Sequence, residues 1–562
     1  MIRNFLLALV GAAATLASAA VVGRDDDRTI FYNGKVFTSN ERHLWAEGVV
    51  VEGRLVIAVG TNQQVLALRN RNTRLVDLGR RTLVPGFNDA HVHPFDTTSF
   101  PRAVQLNRPT DFLPTAGPSF QEILALVQRG AATQPTGTWL MASIGTNVIE
   151  DPATTRFAID QIAPNHPVLL AAWFGHGTFI NTKAMQIAGI EEEEPDPFGG
   201  SYDRVPGSRV ITGALREYAE HRLRRFFAGQ MSDAELQALF EQFAVGAARM
   251  GYSSVQEMAV GVPNERHLRL VERANLPIRW RAIGFPLTLD ERCEVPSRLS
   301  PLRPFAKKTA SGCKYIVDGS HIERLALMRR DYADAPGVRG RLNLPASSIE
   351  TALRRALNGI PAETQPLFHT VGDATTDTIL RTMDAVASDK QWRKLRPRIE
   401  HGTLVRADRY ETVRSMGAFV IQNPVHFSLV DIANARLHPE QLAELDPMRS
   451  LLDRGIEVAI GSDSVGFPGN PYLDLFFAMI QPTNRSEALT MEEAVIAYTR
   501  TAAAAEFQEH WKGTLEPGKA ADLVVLSRDI FSIAVDAIPS TEAELTMVDG
   551  RIVHDSGRLT LQ

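Results

Sequence analysis

Two histidines spaced two apart, His91 and His93, end the run Pro85-Gly86-Phe87-Asn88-Asp89-Ala90-His91-Val92-His93. On an extended strand, positions i and i+2 share a face, so the two imidazoles could grip one cation. Alone the pair is a weak sign, because two histidines on a strand face can equally be core or solvated residues. Three more groups of ligand type end later apolar runs: His369 in Phe368-His369-Thr370-Val371-Gly372-Asp373, His401 in Arg398-Ile399-Glu400-His401, and Asp463 in Ile460-Gly461-Ser462-Asp463. Imidazoles with a carboxylate suit zinc or another divalent ion. Lys314 opens another apolar run. Its amine is a poor ligand, but its carbamate would offer two oxygens to bridge two ions, and the plainer reading is a snorkelling lysine at a strand start. His176, between Gly175 and Gly177, could donate a hydrogen bond to a substrate carbonyl or serve a loop structurally. Glu217 and Glu257 read as supporting acids.

Bringing such groups together requires elements that end at one place. Strand-like runs cover 87–93, 253–258, 278–283, 314–317, 367–370, 398–401, 418–422 and 458–462, with helical periodicity in 233–250, 348–357 and 375–387 between them. Eight strands alternating with helices make a (β/α)8 TIM-type barrel of the α/β class the economical reading, and such barrels carry their sites where strands end. The barrel is expected over 85–504. The interval from about 95 to 228 is too long for a crossover and reads as an insertion after the first barrel strand, over the barrel mouth. Residues 20–84 and 505–562 are rich in short β-branched runs with Gly and Asn turns, and read as two halves of one small composite β-sandwich.

Composition narrows the classes. With 562 residues, 44% hydrophobic and 22% charged, the chain is globular in type. A net charge of -5 gives no basic field for nucleic acid. Cys293 and Cys313, the 2 cysteines, exclude a disulfide framework and a Cys-rich zinc module, leaving buried thiols or one bridge. The start, Met1-Ile2-Arg3-Asn4, an apolar run to about Leu16 and Ala17-Ser18-Ala19, has the layout of a signal peptide over 1–19. That predicts a secreted or periplasmic protein with no membrane contact after cleavage.

The stretches Pro85 to His93, Lys314 to Ser320, His369 to Asp373, Arg398 to His401, Gly461 to Asp463 and Gly513 to Leu523 resemble the amidohydrolase superfamily almost from end to end. Within it the chain is similar to the type 3 branch, which includes N-substituted formamide deformylases, and Gly175-His176 and Thr212 to Glu217 fit that branch. The resemblance implies that His91, His93 and Asp463 bind one zinc, His369 and His401 a second, and carbamylated Lys314 bridges them. Phe174, Ala374 and the run Ser320 to Glu323 depart from the branch's usual residues where substrate would be held. The implied activity is hydrolysis of a carbon–nitrogen bond other than a peptide bond, in a small N-acyl or N-formyl compound, by a metal-activated water. Asp463 would be general base and His176 an assisting catalytic residue. Phe95, Trp173, Phe174 and Phe427 suggest a partly apolar substituent. Ester or lactone hydrolysis, deamination, or a silent small-molecule binder are the alternatives. A homodimer is compatible with the sequence but not specified by it.

Overall fold

The computed structural model describes residues 28–95, 100–107, 116–258, 260–293, 298–299, 303–360 and 364–560. The expected signal peptide, 1–19, lies outside the described residues. Eight strands, Phe87–His93, Tyr252–Met258, Arg279–Gly284, Lys308–Ile316, Pro366–Thr370, Arg398–His401, Phe419–Gln422 and Val458–Ile460, follow one another in the chain. Each pairs in parallel with the next. Beyond Asp463, Ser464 and Val465 pair in parallel with Val92 and His93 of strand one. This is the TIM-barrel-type α/β fold that the alternating pattern predicts.

Local chemistry explains the alternation. Strand residues such as Val255, Ile283, Phe368 and Val420 are almost completely buried, as expected where helices cover a parallel sheet. The helix Asp233–Met250 starts at a Ser232/Glu235 capping box and stops at Gly251, whose φ of 98° suits glycine. The helix Asp373–Val386 leaves strand five at the Val371-Gly372-Asp373 corner, with Asp373 in its first turn.

One boundary differs from the sequence reading. Lys314 does not open strand four, which starts at Lys308, but sits near its carboxyl end. Thr309, Ala310, Ser311 and Gly312 carry no bulky apolar run, so the strand's first half is silent to periodicity. Gly312 has φ 86°, and a Cβ there would lie 2.9 Å from Leu367 and 3.0 Å from the Arg281 guanidinium, so larger neighbours fill the space.

Between strands one and two lies a separate six-stranded sheet. Its order is Gly200–Arg204, Ile211–Glu217, Thr178–Ile180, Val168–Ala172, Trp139–Ile144, Ala103–Gln105. It has its own apolar layer, including Ile123, Leu140 and Leu170. Two further sheets flank the barrel. One takes Arg28–Tyr32, Gly48–Glu52, Leu55–Gly60 and Arg74–Asp77. The other draws on both ends of the chain, with Thr82–Pro85 between Lys35–Phe37 and Leu523–Leu526. Phe31, Val49 and Val76 of the first share an apolar cluster with Leu83, Leu523 and Leu545 of the second. Arg279 of strand three clamps this sheet to the barrel through Asp522 at 2.6 Å.

Cys293 and Cys313 are disulfide-bonded, which settles the two readings left open. No helix of the described residues is long and apolar enough to cross a membrane.

Candidate metal centre

The ligand-type residues meet at the carboxyl ends of the strands. His91 and His93 project from one face of strand one, their Nε2 atoms 3.3 Å apart. Asp463 Oδ1 lies 3.3 Å from each. Lys314 Nζ is 3.4 Å from His91 Nε2. The His401 ring is centred 5.0 Å from His91 and 4.3 Å from His369. One ligand atom each of His91, His401 and Asp463 falls within 4.8 Å of the others. All six predicted ligands, His91, His93, Lys314, His369, His401 and Asp463, therefore share one locality.

Backbone conformation helps aim them. His401 and Asp463 both adopt left-handed backbone, with φ of 67° and 51°. Such conformations cost about 1–3 kcal/mol and persist only where the surroundings enforce them. Here Asp463 N donates to His91 O at 2.8 Å, while Ser462 N and Oγ donate to the Asp89 carboxylate at 2.8 and 2.6 Å.

The donor set fits a cation. His91 Nδ1 faces Glu400 Oε2 at 2.7 Å, His93 Nδ1 faces Met258 O at 3.0 Å, and His401 Nδ1 faces Asn423 Oδ1 at 2.8 Å. An Nδ1–H directed at an oxygen leaves Nε2 as the ligand nitrogen. His369 Nε2 is buried without a hydrogen-bond partner, the state of a nitrogen kept for a ligand. Burial, with the Lys314 charge, lowers His91 to about 4. Burial likewise holds His369 and His401 well below the ordinary imidazole value, so these rings are neutral and able to ligate. Burial works against a charge on Asp463, but His91, His93 and His401 hold it well below the usual carboxyl range. Burial lowers Lys314 to about 8.

His176 comes from the segment between strands one and two. Its Nδ1 lies 3.1 and 3.3 Å from the two oxygens of Glu217, and its ring is centred 5.1 Å from His369. Burial opposes a charge on His176, yet Glu217, with Glu323 and Glu220, pushes it up to about 10. Glu217 is itself buried and has φ 56°. Glu257 does not join the centre; it contacts His267 and accepts from Trp280 Nε1 at 3.3 Å. Phe95 and Phe427 are core residues, whereas Trp173 and Phe174 are partly exposed beside Ile322, Leu429 and Ile432.

Sequence reasoning missed two participants. His426 Nε2 lies 3.7 Å from Asp463 Oδ2, and its ring stacks on His401. Asn423, which orients His401, was also unmarked. The available signal was position, since 423 and 426 follow strand seven where barrel sites form.

The sequence matches the amidohydrolase family over residues 74–554, and the chain belongs to that family. It is 25% identical to the N-substituted formamide deformylase of Arthrobacter pascens, over 93% of this chain and 97% of that protein. It is 24% identical to the putative amidohydrolase YtcJ of Bacillus subtilis, over 94% and 99%. An uncharacterized metal-dependent hydrolase from Pyrococcus horikoshii superposes with a TM-score of 0.66 at 21% identity, covering 91% of this chain and 99% of that one.

Proposed function

We propose that the protein is a secreted or periplasmic zinc-dependent hydrolase that cleaves the carbon–nitrogen bond of a small N-acyl or N-formyl amine. The observation that carries this reading is the convergence of four imidazoles, Asp463 and Lys314 at one end of the barrel, three of the rings oriented through Nδ1 by oxygen acceptors. The Arthrobacter relative, a formamide deformylase by name, supports the N-formyl class. The Cys293–Cys313 disulfide supports an oxidising destination, in line with the signal-peptide reading of 1–19. We read the two flanking sheets as a composite β-sandwich and 95–228 as an insertion that supplies part of the site.

His91, His93 and Asp463 would hold one ion, His369 and His401 a second, with Lys314 bridging as its carbamate. A bound divalent ion supplies Lewis acidity, polarising a carbonyl and lowering the pKa of water. Asp463, beside both strand-one imidazoles, accepts the proton of the attacking water and returns it to the leaving amine. His176, held by Glu217, donates a hydrogen bond to the carbonyl oxygen as charge develops there. Trp173, Phe174, Ile322, Leu429 and Ile432 offer an apolar wall for the substituent.

Elemental mass spectrometry on protein purified without chelators, with bicarbonate present, tests the centre. About two zinc per chain supports the bridged pair, and about one removes Lys314 from the ligand set. None after zinc is returned overturns the reading. A panel of N-formyl amines, N-acyl amines and matching esters then tests the bond cleaved.

A further inference from the structure

Three of the centre's imidazoles have visible partners behind them, and the partners are not equivalent. His93 is backed by a backbone carbonyl and His401 by the side-chain amide of Asn423, both neutral. His91 alone of these three is backed by a carboxylate, Glu400, and at the shortest distance, 2.7 Å. Glu400 is completely buried. Its charge is retained because Arg398, also completely buried, grips it in a fork, Nε to Oε1 at 2.7 Å and Nη2 to Oε2 at 3.1 Å. Arg398 is fixed in turn by Ala90 O at 2.7 Å and Gln256 Oε1 at 2.6 Å, which ties strand six to strands one and two directly beneath the centre.

We infer that Glu400, backed by Arg398, is a positioning residue that fixes His91 with its proton on Nδ1 and, by its charge, makes His91 the ligand through which the protein sets its affinity for metal. This rests on the metal reading of the site. Any oxygen accepting from the second ring nitrogen locks the imidazole's rotation and raises its strength as a donor, and a carboxylate, by its full charge, does the second more than a neutral oxygen does. The fork geometry has a further consequence. Arg398 without Glu400 would be a buried, unpaired guanidinium, so the pair acts as one unit.

The test compares full-length wild type, Glu400→Gln, the pairs Glu400→Gln/Arg398→Met and Glu400→Leu/Arg398→Met, and Asn423→Ala. Zinc affinity is measured by competition with a chromophoric chelator. Protonation of His91 is read in metal-free protein from ring 15N shifts, assigned by difference against His91→Gln. Loss of the charge in Glu400→Gln is expected to weaken zinc by about 10- to 100-fold, and Asn423→Ala by less. The Gln/Met pair, which leaves no unpaired guanidinium, is expected to weaken zinc likewise and guards against a simple folding failure. Metal-free wild type is expected to show His91 as one tautomer protonated on Nδ1, and Glu400→Leu/Arg398→Met a mixture. Unchanged zinc affinity in both Gln variants overturns the inference, as does an unchanged single tautomer in the Leu/Met protein. If wild type binds no zinc, the metal reading falls, and the 15N shifts alone decide whether Glu400 governs His91.

Discussion

Replacing Asp463 by asparagine removes a charge and leaves a shape. The residue is held by its backbone, with N donating to His91 O at 2.8 Å, and by Ser462 on the Asp89 carboxylate. Asparagine tolerates its φ of 51° as well as aspartate does. The fold at this corner should therefore survive, with a melting temperature lowered only by the loss of the carboxylate's favourable contacts with the imidazoles. What changes is the oxygen 3.3 Å from both His91 and His93 Nε2, which can no longer take a proton. General-base catalysis is worth about 10²- to 10⁴-fold. The expected fall in kcat is of that size, about 2.7–5.4 kcal/mol of transition-state stabilisation. Because the imidazoles remain, most zinc should stay bound. The assay is kcat and kcat/KM on the best N-formyl or N-acyl substrate, with elemental analysis of the same sample. A variant that is fully metallated and turns over like wild type refutes Asp463 as the base. One that unfolds refutes the claim that the backbone, not the carboxylate, holds this corner.

Three further outcomes are expected. A Cβ at Gly461 would lie 2.5 Å from His91 Cβ and 2.6 Å from its backbone nitrogen, so Gly461→Ala should cost about 1–3 kcal/mol and lower zinc content; denaturant unfolding and elemental analysis check both. The Cys293–Cys313 bridge spans 20 residues, a loop whose closure is worth about 3 kcal/mol, so Cys293→Ser/Cys313→Ser should unfold at lower urea than oxidised wild type, and equal midpoints would contradict this. Burial, reinforced by Asp89, raises buried Asp474 well above 3.8, although Val425 N and Tyr498 OH donate to it. A folded value above the unfolded one means its contribution is full below about pH 4 and is lost as pH rises through the folded value. Asp474→Asn, with Nδ2 donating to the Tyr498 hydroxyl and that proton turned to the Tyr252 hydroxyl 2.8 Å away, should be more stable relative to wild type at pH 8 than at pH 5. Urea titrations at the two pH values give the sign directly.

The parts of the molecule legible in sequence were those where a short period coincides with chemistry. His91 and His93 could be placed on one face because strand side chains alternate, and Asp463 because an apolar run stops just before it. Lys314 was placed at the wrong end of its strand, because Thr309 to Gly312 form no bulky apolar run, and at Gly312 Leu367 and Arg281 fill the space instead. Glu400 was visible as a residue next to His401, but its partner His91 belongs to another strand and no local pattern announces the pair. His426 lies in a short turn, Pro424–Ser428, whose path depends on the packing of Val425 N against Asp474. The six-stranded sheet between strands one and two was anticipated only as an insertion, since its strand order follows from tertiary pairing and not from periodicity.

The strand Thr82–Pro85 feeds directly into strand one and is wedged between Lys35–Phe37 and Leu523–Leu526. Its sheet joins groups as far apart as Lys35 and Asp529, 494 positions along the chain. Loop-closure entropy grows only logarithmically with such a separation, so the equilibrium penalty is modest. The kinetic consequence is larger, because one edge of Thr82–Pro85 stays unpaired until nearly the whole polypeptide has emerged. Strand one, with both of its ligand histidines, thus continues from a strand whose second edge is covered only when Leu523–Leu526 docks.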